Sequence, residues 1–381
     1  LCAAEEMFAL KALMDSLGVT SIDCRQDGAY ADAGNRASYL FNSTIAGIEE
    51  ADTLLLVGTN PRIEAPLINA RLRKRYLRGG ARFIGLGEPV DLSYEVNWVG
   101  ENLTPLASLF APSGPLYANS KDKAGPQRKS ALIIGQQALR RPDAPAILAR
   151  FAQLAEENGI LGNDWNGFNV LQTAAARIAG LDMGFVPGEQ GRDVAGILEG
   201  AENGQVEFVY LLAADEIDHS QLEKSFLVYQ GHHGDAGAHV ADVILPGAAY
   251  TEKNGTYVNT EGRVQLGRLT VLPPGDARED WTILRALSQV LGHPLPFDNL
   301  SELRAAMVEA VPHFGRIDQI SPAPWQGIAP TRGGKGEISD APLGQRFAGY
   351  HMTCPISRAS ATMAACVAEL GTGRAWPQAA E

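Results

Sequence analysis

The sequence lacks the cysteine arrangements on which iron–sulfur clusters and structural zinc sites depend. It contains four cysteines among 381 residues, and no two of them form a CxxC pair. Several soft ligands must converge on such a metal centre, and isolated thiols do not supply them. We therefore expect Cys2, Cys24, Cys354 and Cys366 to be free thiols in a reducing compartment.

Long apolar runs and an excess of positive charge are missing as well. No uninterrupted apolar stretch approaches the roughly 20 residues that a membrane helix needs. The formal net charge is −12 and the pI is about 5.1. A chain this acidic repels phosphate backbones. We expect neither nucleic-acid binding nor direct insertion into a membrane.

Motifs that carry chemistry are also absent. The sequence has no P-loop, no GxGxxG, no GxSxG elbow and no HExxH pair. We therefore expect no catalytic residue in this chain, neither for redox nor for hydrolytic chemistry.

What the sequence does contain is a repeated alternation of apolar strands and amphipathic helices. Thr53–Gly58 (TLLLVG) is apolar at successive positions, which is typical of a parallel strand buried on both faces. A helix with apolar residues at every fourth position and a second apolar run follow it, which predicts a βαβ unit. Further buried strands are predicted at residues 131–135, 208–213, 226–230 and 242–245, and helices at 5–17, 169–179 and 281–291.

This pattern predicts an α/β protein with several lobes, open and mostly parallel sheets, and flanking helices. Asn254–Gly255 and Glu261–Gly262 are turn dipeptides within a polar stretch, which predicts a small meander. The chain begins at Leu1 in helix-like sequence without an initiator Met, so we expect it to be the C-terminal portion of a longer protein. The predicted divisions are a first lobe at 1–130, a second lobe at 131–292 with the meander at 250–265, a helical end at 293–314, a linker at 315–345 and a C-terminal docking helix at 346–381.

Three groups of residues are candidates for binding. The turn Gly58–Pro61 follows the first buried strand, where open α/β sheets place ligands, although an ordinary turn fits it equally well. A basic cluster is either a solvated helix face or a contact for an acidic partner; it comprises Arg71, Arg73, Lys74, Arg75 and Arg78. His232, His233 and His239 resemble a metal-ligand set, but a structural loop is favoured because the HExxH spacing is missing.

Four segments together resemble one family, the large iron–sulfur subunit in the peripheral arm of respiratory complex I (NADH-quinone oxidoreductase). They are ADTLLLVGTNPRIEAPLINARLRK from Ala51, VYQGHHGDAGAHVADVILPGAAYTEKNGTYVNTEGRVQ from Val228, AREDWTILRALS from Ala277 and PISRASATMAACV from Pro355. The resemblance implies that iron–sulfur clusters lie in an N-terminal part outside this sequence. It also implies that the present part is related to molybdopterin oxidoreductases such as formate dehydrogenase.

In those relatives, turns and polar stretches like the ones here hold a pterin dinucleotide. The resemblance thus implies a vestigial cofactor groove, formed by Gly58, Asn60, Pro61, Asn254, Asn259 and Glu261. The metal ligand of the relatives follows a segment like Ser21–Cys24 by about five residues, and that place is Ala29 here. A methyl group is no ligand for molybdenum. We therefore expect neither a metal nor a cofactor in this portion.

The resemblance leads to a structural domain of an oxidoreductase complex. Its expected partners are other peripheral-arm subunits, contacted through the basic helix and the helix after Pro355. Its expected location is the cytoplasmic face of a bacterial inner membrane or the matrix side of the mitochondrial one. The alternative is a fragment of an active molybdopterin-dependent oxidoreductase, and a third option is a ligand retained in the old groove through the three histidines.

Overall fold

The computed structural model describes residues 2–117, 128–162, 164–234, 236–328, 337–343, 352 and 354–370. Its α-helices are α1 (Ala4–Ser16), α2 (Pro61–Glu64), α3 (Pro66–Leu77), α4 (Leu106–Leu109), α5 (Gln136–Leu139), α6 (Ala144–Glu157), α7 (Arg177–Asp182), α8 (Val194–Glu202), α9 (Ala236–Val240), α10 (Asp280–Val290), α11 (Leu300–Ala310), α12 (Pro355–Arg358) and α13 (Ala361–Leu370). Its strands are β1 (Thr53–Val57), β2 (Arg82–Leu86), β3 (Asn97–Gly100), β4 (Ser130–Ile134), β5 (Phe168–Val170), β6 (Phe208–Leu212), β7 (Phe226–Gly231), β8 (Val243–Pro246), β9 (Gly255–Val258) and β10 (Val264–Gly267). Short 3₁₀ turns lie at Arg36–Ser38, Gly47–Glu50, His219–Leu222 and Pro312–Gly315.

The first sheet is parallel and has the strand order β3-β2-β1-β4-β5. β1 is central and all five of its residues are buried, because alternate side chains enter apolar layers on opposite faces. Leu54 and Leu56 pack with Leu72 of α3, whereas Leu55 and Val57 share a layer with helix α6. β2 and β4 lie on opposite sides of β1 in this sheet. The carboxyl ends of β1 and β4 therefore form a topological switch point.

The first sheet continues past the lobe boundary that the sequence predicts at residue 130, because β4 pairs directly with β1. The helix predicted from residue 169 to 179 is wrong in its first half. Residues 168–170 form strand β5, and the helix there is confined to Arg177–Asp182. Asn169 explains the difference, since its side chain accepts hydrogen bonds from the amide and hydroxyl of Ser43 and donates one to the carbonyl of Leu132. These contacts are distant in sequence.

The second sheet is smaller, with the parallel order β6-β7-β8. β6 and β7 lie where the sequence places them, and β7 is buried over most of its length. The prediction that β8 is buried is wrong: Val243 is 38% and Ile244 53% exposed. β8 is an edge strand, and nothing in the described residues covers its outer face.

A third unit packs helices against a hairpin. β9 and β10 are antiparallel and lie within the polar stretch that predicts a meander. Helices α1, α10 and α11 pack together beside the hairpin, and Leu13, Leu284, Leu303, Met307 and Phe314 share their buried core. Asn299 caps α11 by accepting a hydrogen bond from the Glu302 amide at 3.0 Å.

The described parts of the predicted linker lie first against the β9–β10 hairpin, where Ile317 and Ile320 form bridges to Val264 and Arg263, and then against β5 and α6. Trp325 packs on Phe168 with ring centroids 5.0 Å apart, and its indole donates to Glu156 at 2.7 Å. Farther along, the guanidinium of Arg358 in α12 binds Asp215 at 2.6 Å, which fixes the start of the C-terminal helices beside the second sheet. Among the described residues, no helix combines the length and apolarity required to cross a bilayer.

Candidate functional site

The site that the sequence singles out is the crevice at the carboxyl ends of β1 and β4. Gly58 ends β1 with φ at +52°, in the left-handed region that favours glycine. Gly135 ends β4 opposite it. A Cβ at Gly135 would overlap the carbonyl oxygen of Gly58 and lie 2.6 Å from the Cβ of Thr59. The two turns are therefore in backbone contact, and nothing can be inserted between them.

A small cleft remains beside these turns. It is lined by polar side chains and two apolar ones, with a volume of about 80 Å³. Small-molecule sites usually occupy roughly 300–1,000 Å³, so a dinucleotide-sized cofactor does not fit this cleft. Its lining residues are Thr59, Asn60, Ile63, Glu64, Glu88, Val90 and Gln137.

Within the cleft, Asn60 does not have the role that the sequence suggests. Its backbone amide donates to Glu64 Oε1 at 2.6 Å, which closes the first turn of α2. Its side-chain oxygen is buried without a hydrogen-bond partner among the described residues. Burial raises the pKa of Glu64 to about 7, although it accepts hydrogen bonds from Asn60 and Thr59. Pro61 is buried at the first position of α2, a conventional helix start.

The surroundings of Ala29, the place where the sequence resemblance puts a lost metal ligand, are apolar. Ala29 is fully buried and belongs to the same hydrophobic core as Leu55, Val57 and Leu343. The next residue, Tyr30, donates its amide proton to the carbonyl of Leu139 at 2.7 Å. Molybdenum needs sulfur, selenium or oxygen donors, and this place offers methyl and methylene groups.

Cys24, the cysteine upstream of Ala29, is a free thiol. Burial raises the pKa of its thiol to about 12, so it stays protonated at neutral pH. All four cysteines are free. In the part of the chain that the structure describes, no three histidine, cysteine or carboxylate groups are placed to hold a metal ion.

The polar groove residues from the meander build turns. Asn259 accepts hydrogen bonds from the amides of Glu261 and Arg263 at 3.1 and 2.9 Å, which closes the loop between β9 and β10. Glu261 is buried and accepts from the Ile45 amide at 2.8 Å. Asn254 accepts from the Leu269 amide at 3.3 Å. Their polar groups are thus satisfied within the chain.

Of the three candidate histidines, His232 and His233 form a pair, and His239 lies apart from them. The Nδ1 atoms of His232 and His233 lie 2.6 Å apart, with the rings perpendicular. Burial and the neighbouring imidazole lower the pKa of His232 to about 4, which keeps this ring neutral at physiological pH. His239 lies on α9 and is exposed.

The basic cluster is largely paired within the chain. Arg71, Lys74 and Arg78 all contact the carboxylate of Glu49, at 2.6, 2.9 and 2.7 Å. These cations, Arg71 first, lower the pKa of Glu49 to about 2. Arg75 donates to the carbonyl of Ala51 at 2.7 Å. The cluster therefore joins α3 to the turn before β1, while its side chains remain partly exposed.

Sequence reasoning missed two buried charge clusters. The first surrounds Asp182 of α7, whose carboxylate is inaccessible to solvent. It accepts hydrogen bonds from Arg36 Nε at 2.9 Å and the Tyr39 hydroxyl at 2.8 Å, and His313 Nε2 lies 2.7 Å away. Arg36 also donates to the Ser321 carbonyl. The cluster therefore joins α7 and the 3₁₀ turn that contains His313 to the segment that follows this turn.

We expect Asp182→Asn to lower the free energy of unfolding by about 2 kcal/mol, because charge-assisted hydrogen bonds to Arg36 and His313 are lost. Burial opposes ionisation of Asp182, yet the bonds from His313 and Arg36 lower its pKa below the ordinary value. Its contribution is therefore present above the unfolded pKa of about 4 and fades as the pH falls through the folded value. Urea titrations at pH 7 and pH 3 measure this, with the exposed Asp298→Asn as control; equal losses in both variants at pH 7 would contradict it.

The second cluster is deeper and surrounds Lys253. Its ammonium contacts Glu6 Oε1 and Asp280 Oδ2, each at 2.7 Å, and all three side chains are almost fully buried. Burial raises the pKa of Glu6 to about 8, because a single cation serves two carboxylates in a desolvated site. Residues so far apart in the sequence give no local signal. The cluster binds α1 to the hairpin and α10.

Comparisons with known proteins were made for the whole chain. The family model described as "Molybdopterin oxidoreductase" matches residues 1–290, and a model for the C-terminal part of the G subunit of NADH-ubiquinone oxidoreductase matches residues 319–366. The 78 kDa mitochondrial subunit of NADH-ubiquinone oxidoreductase from Candida albicans is 40% identical over 97% of this chain and 50% of that protein. The mitochondrial NADH dehydrogenase [ubiquinone] iron-sulfur protein 1 of Solanum tuberosum is 37% identical over 96% of this chain and 48% of that protein.

The chain thus spans about half the length of the curated relatives it matches. Among solved structures, a crystal structure of the formyltransferase/hydrolase complex from Methylorubrum extorquens with methylofuran is similar, with a TM-score of 0.50 and 14% identity. The alignment covers 81% of this chain and 89% of that one. At this identity, the similarity concerns the fold alone.

Proposed function

Because this chain belongs to the molybdopterin oxidoreductase family, with a C-terminal stretch that matches a subunit of NADH-ubiquinone oxidoreductase, we propose that it is a cofactor-free scaffold within the large iron–sulfur subunit of complex I. The resemblance stated from the sequence is confirmed by these matches, and so is the α/β fold. The proposed role is to support the cluster-bearing part of the same subunit and to contact neighbours. Electrons would pass through that other part.

The closed crevice is the observation that carries the proposal. A molybdopterin enzyme needs an open groove at the carboxyl ends of its strands and a ligand for its metal. In this chain Gly58 and Gly135 are in backbone contact, and Ala29 contributes only a methyl group to an apolar core. Asn259 is bound within its own hairpin, and Glu261 accepts the amide of Ile45. These features support loss of the cofactor with retention of the fold.

The proposal also covers the position of the iron–sulfur clusters, the location of the subunit in the cell and its partner subunits. Relatives are named as iron–sulfur and mitochondrial proteins, so we place the clusters in a part of the subunit that this chain does not include. The subunit would lie in the peripheral arm, on the matrix side of the inner mitochondrial membrane or the cytoplasmic side of a bacterial one. Its partners would be other arm subunits.

Two surfaces are suited to such partners. Helix α13 is short, rich in alanine and mostly exposed, although Met363 and Val367 on its predicted face are half-buried. The second sheet exposes Phe208 and Phe226, which stack with centroids 6.1 Å apart, and Val243 is exposed on the same face of the sheet. Contiguous apolar surface of this kind usually marks an interface. The basic helix α3 is a weaker candidate, because Glu49 already pairs three of its cations.

Metal and pterin analysis of the full-length subunit, purified in its complex, tests the scaffold proposal. We expect iron from the clusters, molybdenum and tungsten far below one ion per subunit, and no extractable pterin. The iron signal serves as the internal control, because it shows that metal survived purification. Stoichiometric molybdenum or tungsten together with pterin would overturn the proposal and favour an active molybdopterin-dependent oxidoreductase.

A further inference from the structure

The crevice edge is covered by a segment from far along the same chain. Residues 337–343 form a segment without helix or strand that lies beside the turn after β1, the loop after β3 and the residues after α5. Leu343 is 1% exposed and lies in the same core as Ala29 and Val57. The carbonyl oxygen of Leu343 is 3.1 Å from the position that a Cβ on Gly58 would take. Its side chain therefore fills space at the switch point, where open α/β sheets take ligands.

The two apolar ends of this segment act as anchors. Ile338 is half-buried and packs against the same core as Leu343. The residues between them, Ser339 to Pro342, are exposed. A segment that buries two apolar side chains and leaves the residues between them in solvent resembles a bound peptide ligand more than a core element.

Arg141 holds the middle of the segment. Its guanidinium donates to the Ser339 carbonyl at 3.0 Å, to the Ser339 hydroxyl at 2.7 Å and to the Pro342 carbonyl at 2.9 Å, and it also contacts the Ala341 carbonyl. Asp143 keeps this guanidinium in place through an ion pair at 2.6 Å and accepts from the Ser339 amide at 2.8 Å. The guanidinium group of Arg141 thus binds several main-chain carbonyls of the segment, a role for which its planar set of donors is suited.

The other side of the segment is bound by the loop before α4. The amide of Leu343 donates to the Glu101 carbonyl at 2.9 Å. Asn102 donates to the Asp340 carbonyl at 3.1 Å, and the Thr104 hydroxyl donates to the Asp340 carboxylate at 3.2 Å. Side chains from two separate loops therefore converge on the main chain of one peptide. The usual means of peptide recognition, backbone hydrogen bonds plus apolar pockets, are all present.

We propose that the former cofactor edge of the first sheet has become a peptide-binding site, and that its ligand is this chain's own segment Glu337–Leu343. The site is separable from the segment: when the segment is released, the same peptide supplied in solution binds in its place. In the intact chain the tethered copy outcompetes a free one, because tethering gives it a high effective concentration. This inference rests on contacts within the chain and goes beyond the scaffold role.

The test uses the full chain and a fluorescein-labelled peptide of sequence EISDAPL, followed by fluorescence anisotropy. Leu343→Asp should release the tethered segment, because a carboxylate cannot enter the apolar core. We expect this variant to bind the probe at least roughly tenfold more tightly than the wild type does. Hydrogen exchange at the amide of residue 343 should also become at least roughly tenfold faster, since its bond to Glu101 opens.

Arg141 supplies the specificity control. Adding Arg141→Ala to Leu343→Asp should weaken probe binding by at least roughly tenfold. Adding Arg150→Ala should not, since Arg150 is a half-buried arginine on α6 that binds only Gln153 among the contacts described. A probe ending in Asp instead of Leu should bind none of the variants. Ser339→Pro, at an exposed position, provides a second way to release the segment, since it removes the amide that donates to Asp143.

The proposal is overturned if the probe binds the released variants no better than the wild type, or if Arg141→Ala leaves its affinity unchanged. Either result concerns the peptide site alone. The scaffold proposal fails on a different measurement, the molybdenum and pterin content. The two failures are therefore distinguishable.

Discussion

Replacing Lys253 with methionine is expected to cost about 4 kcal/mol of unfolding free energy. Methionine keeps the length of the side chain but removes the ammonium between Glu6 and Asp280, which lie 2.7 Å from it on either side. Breaking a buried ion pair by removing one partner typically costs about 3–5 kcal/mol, because a buried charge is left uncompensated. Chemical denaturation at pH 7 measures the loss.

The exposed pair Lys11–Asp15 on α1 is the matched control. Its side chains are 25% and 54% exposed, and surface pairs at this spacing contribute about 0.5 kcal/mol or less. We therefore expect Lys11→Met to be nearly neutral. The triple replacement Glu6→Gln, Lys253→Met and Asp280→Asn should recover much of the loss, since no charge is then left unpaired. A Lys253→Met loss as small as that of Lys11→Met would contradict the role of the cluster.

The cluster around Lys253 also makes the free energy of unfolding depend on pH, and the pKa of Glu6 sets the direction of this dependence. Burial raises the pKa of Glu6 from its ordinary 4.5 to about 8. The folded state therefore binds a proton that the unfolded state has released between these values. The stability from this group is complete below pH 4.5 and is lost as the pH rises through about 8. Removing Lys253 should extend the loss to higher pH, because the attraction that favours ionised Glu6 is gone.

Gly135→Ala is expected to destabilise the protein by about 3 kcal/mol, the upper part of the range for overpacked sites. The backbone of Gly135 has φ −86° and ψ 163°, which alanine adopts without strain. The cost comes from its methyl group, which would overlap the Gly58 carbonyl and come within 2.6 Å of Thr59 Cβ. Thermal and denaturant unfolding measure it, and hydrogen exchange should show the β1 and β4 turns moving apart.

Gly234→Ala isolates the steric cause. A Cβ at Gly234 meets nothing within 4 Å, so the substitution should be neutral or slightly stabilising through the unfolded chain. If Gly135→Ala were equally harmless, the two turns would not be in contact. The crevice would then have room for a ligand, and the main support for the scaffold proposal would be lost.

The central strands of both sheets were predictable because burial on two faces requires continuous apolar runs. TLLLV and FLVYQ satisfy this requirement locally. β5 lacks such an apolar run and was not predictable in this way. It is three residues long and contains Asn169, whose partners Ser43 and Leu132 are distant in sequence. Apolar composition also predicted burial for β8, but the composition of a strand does not say whether another element will lie beside it.

The candidate site could be found from its glycine turn but not interpreted from it. Ala29 and Gly58 are local features that a resemblance can mark. The closing segment, SDAPL from Ser339, has the polar composition of a linker, and only its contacts in the fold, such as those of Arg141 and the burial of Leu343, show it to be bound. Lys253 and Glu6 are 247 residues apart. Charged residues at such separation look like solvated surface until the fold brings them together.

The position of α1 has a consequence for the time course of synthesis. This helix is near the start of the chain, yet it packs against α10, α11 and the β9–β10 hairpin. A ribosome adding about 5–20 residues per second needs roughly 12–50 s to reach Lys253 after Glu6 has been made. The first sheet, whose strands lie between residues 53 and 170, can form in that interval. For the same interval the apolar face of α1 lacks its partners α10, α11 and the hairpin, so nascent α1 is where we expect chaperones to bind.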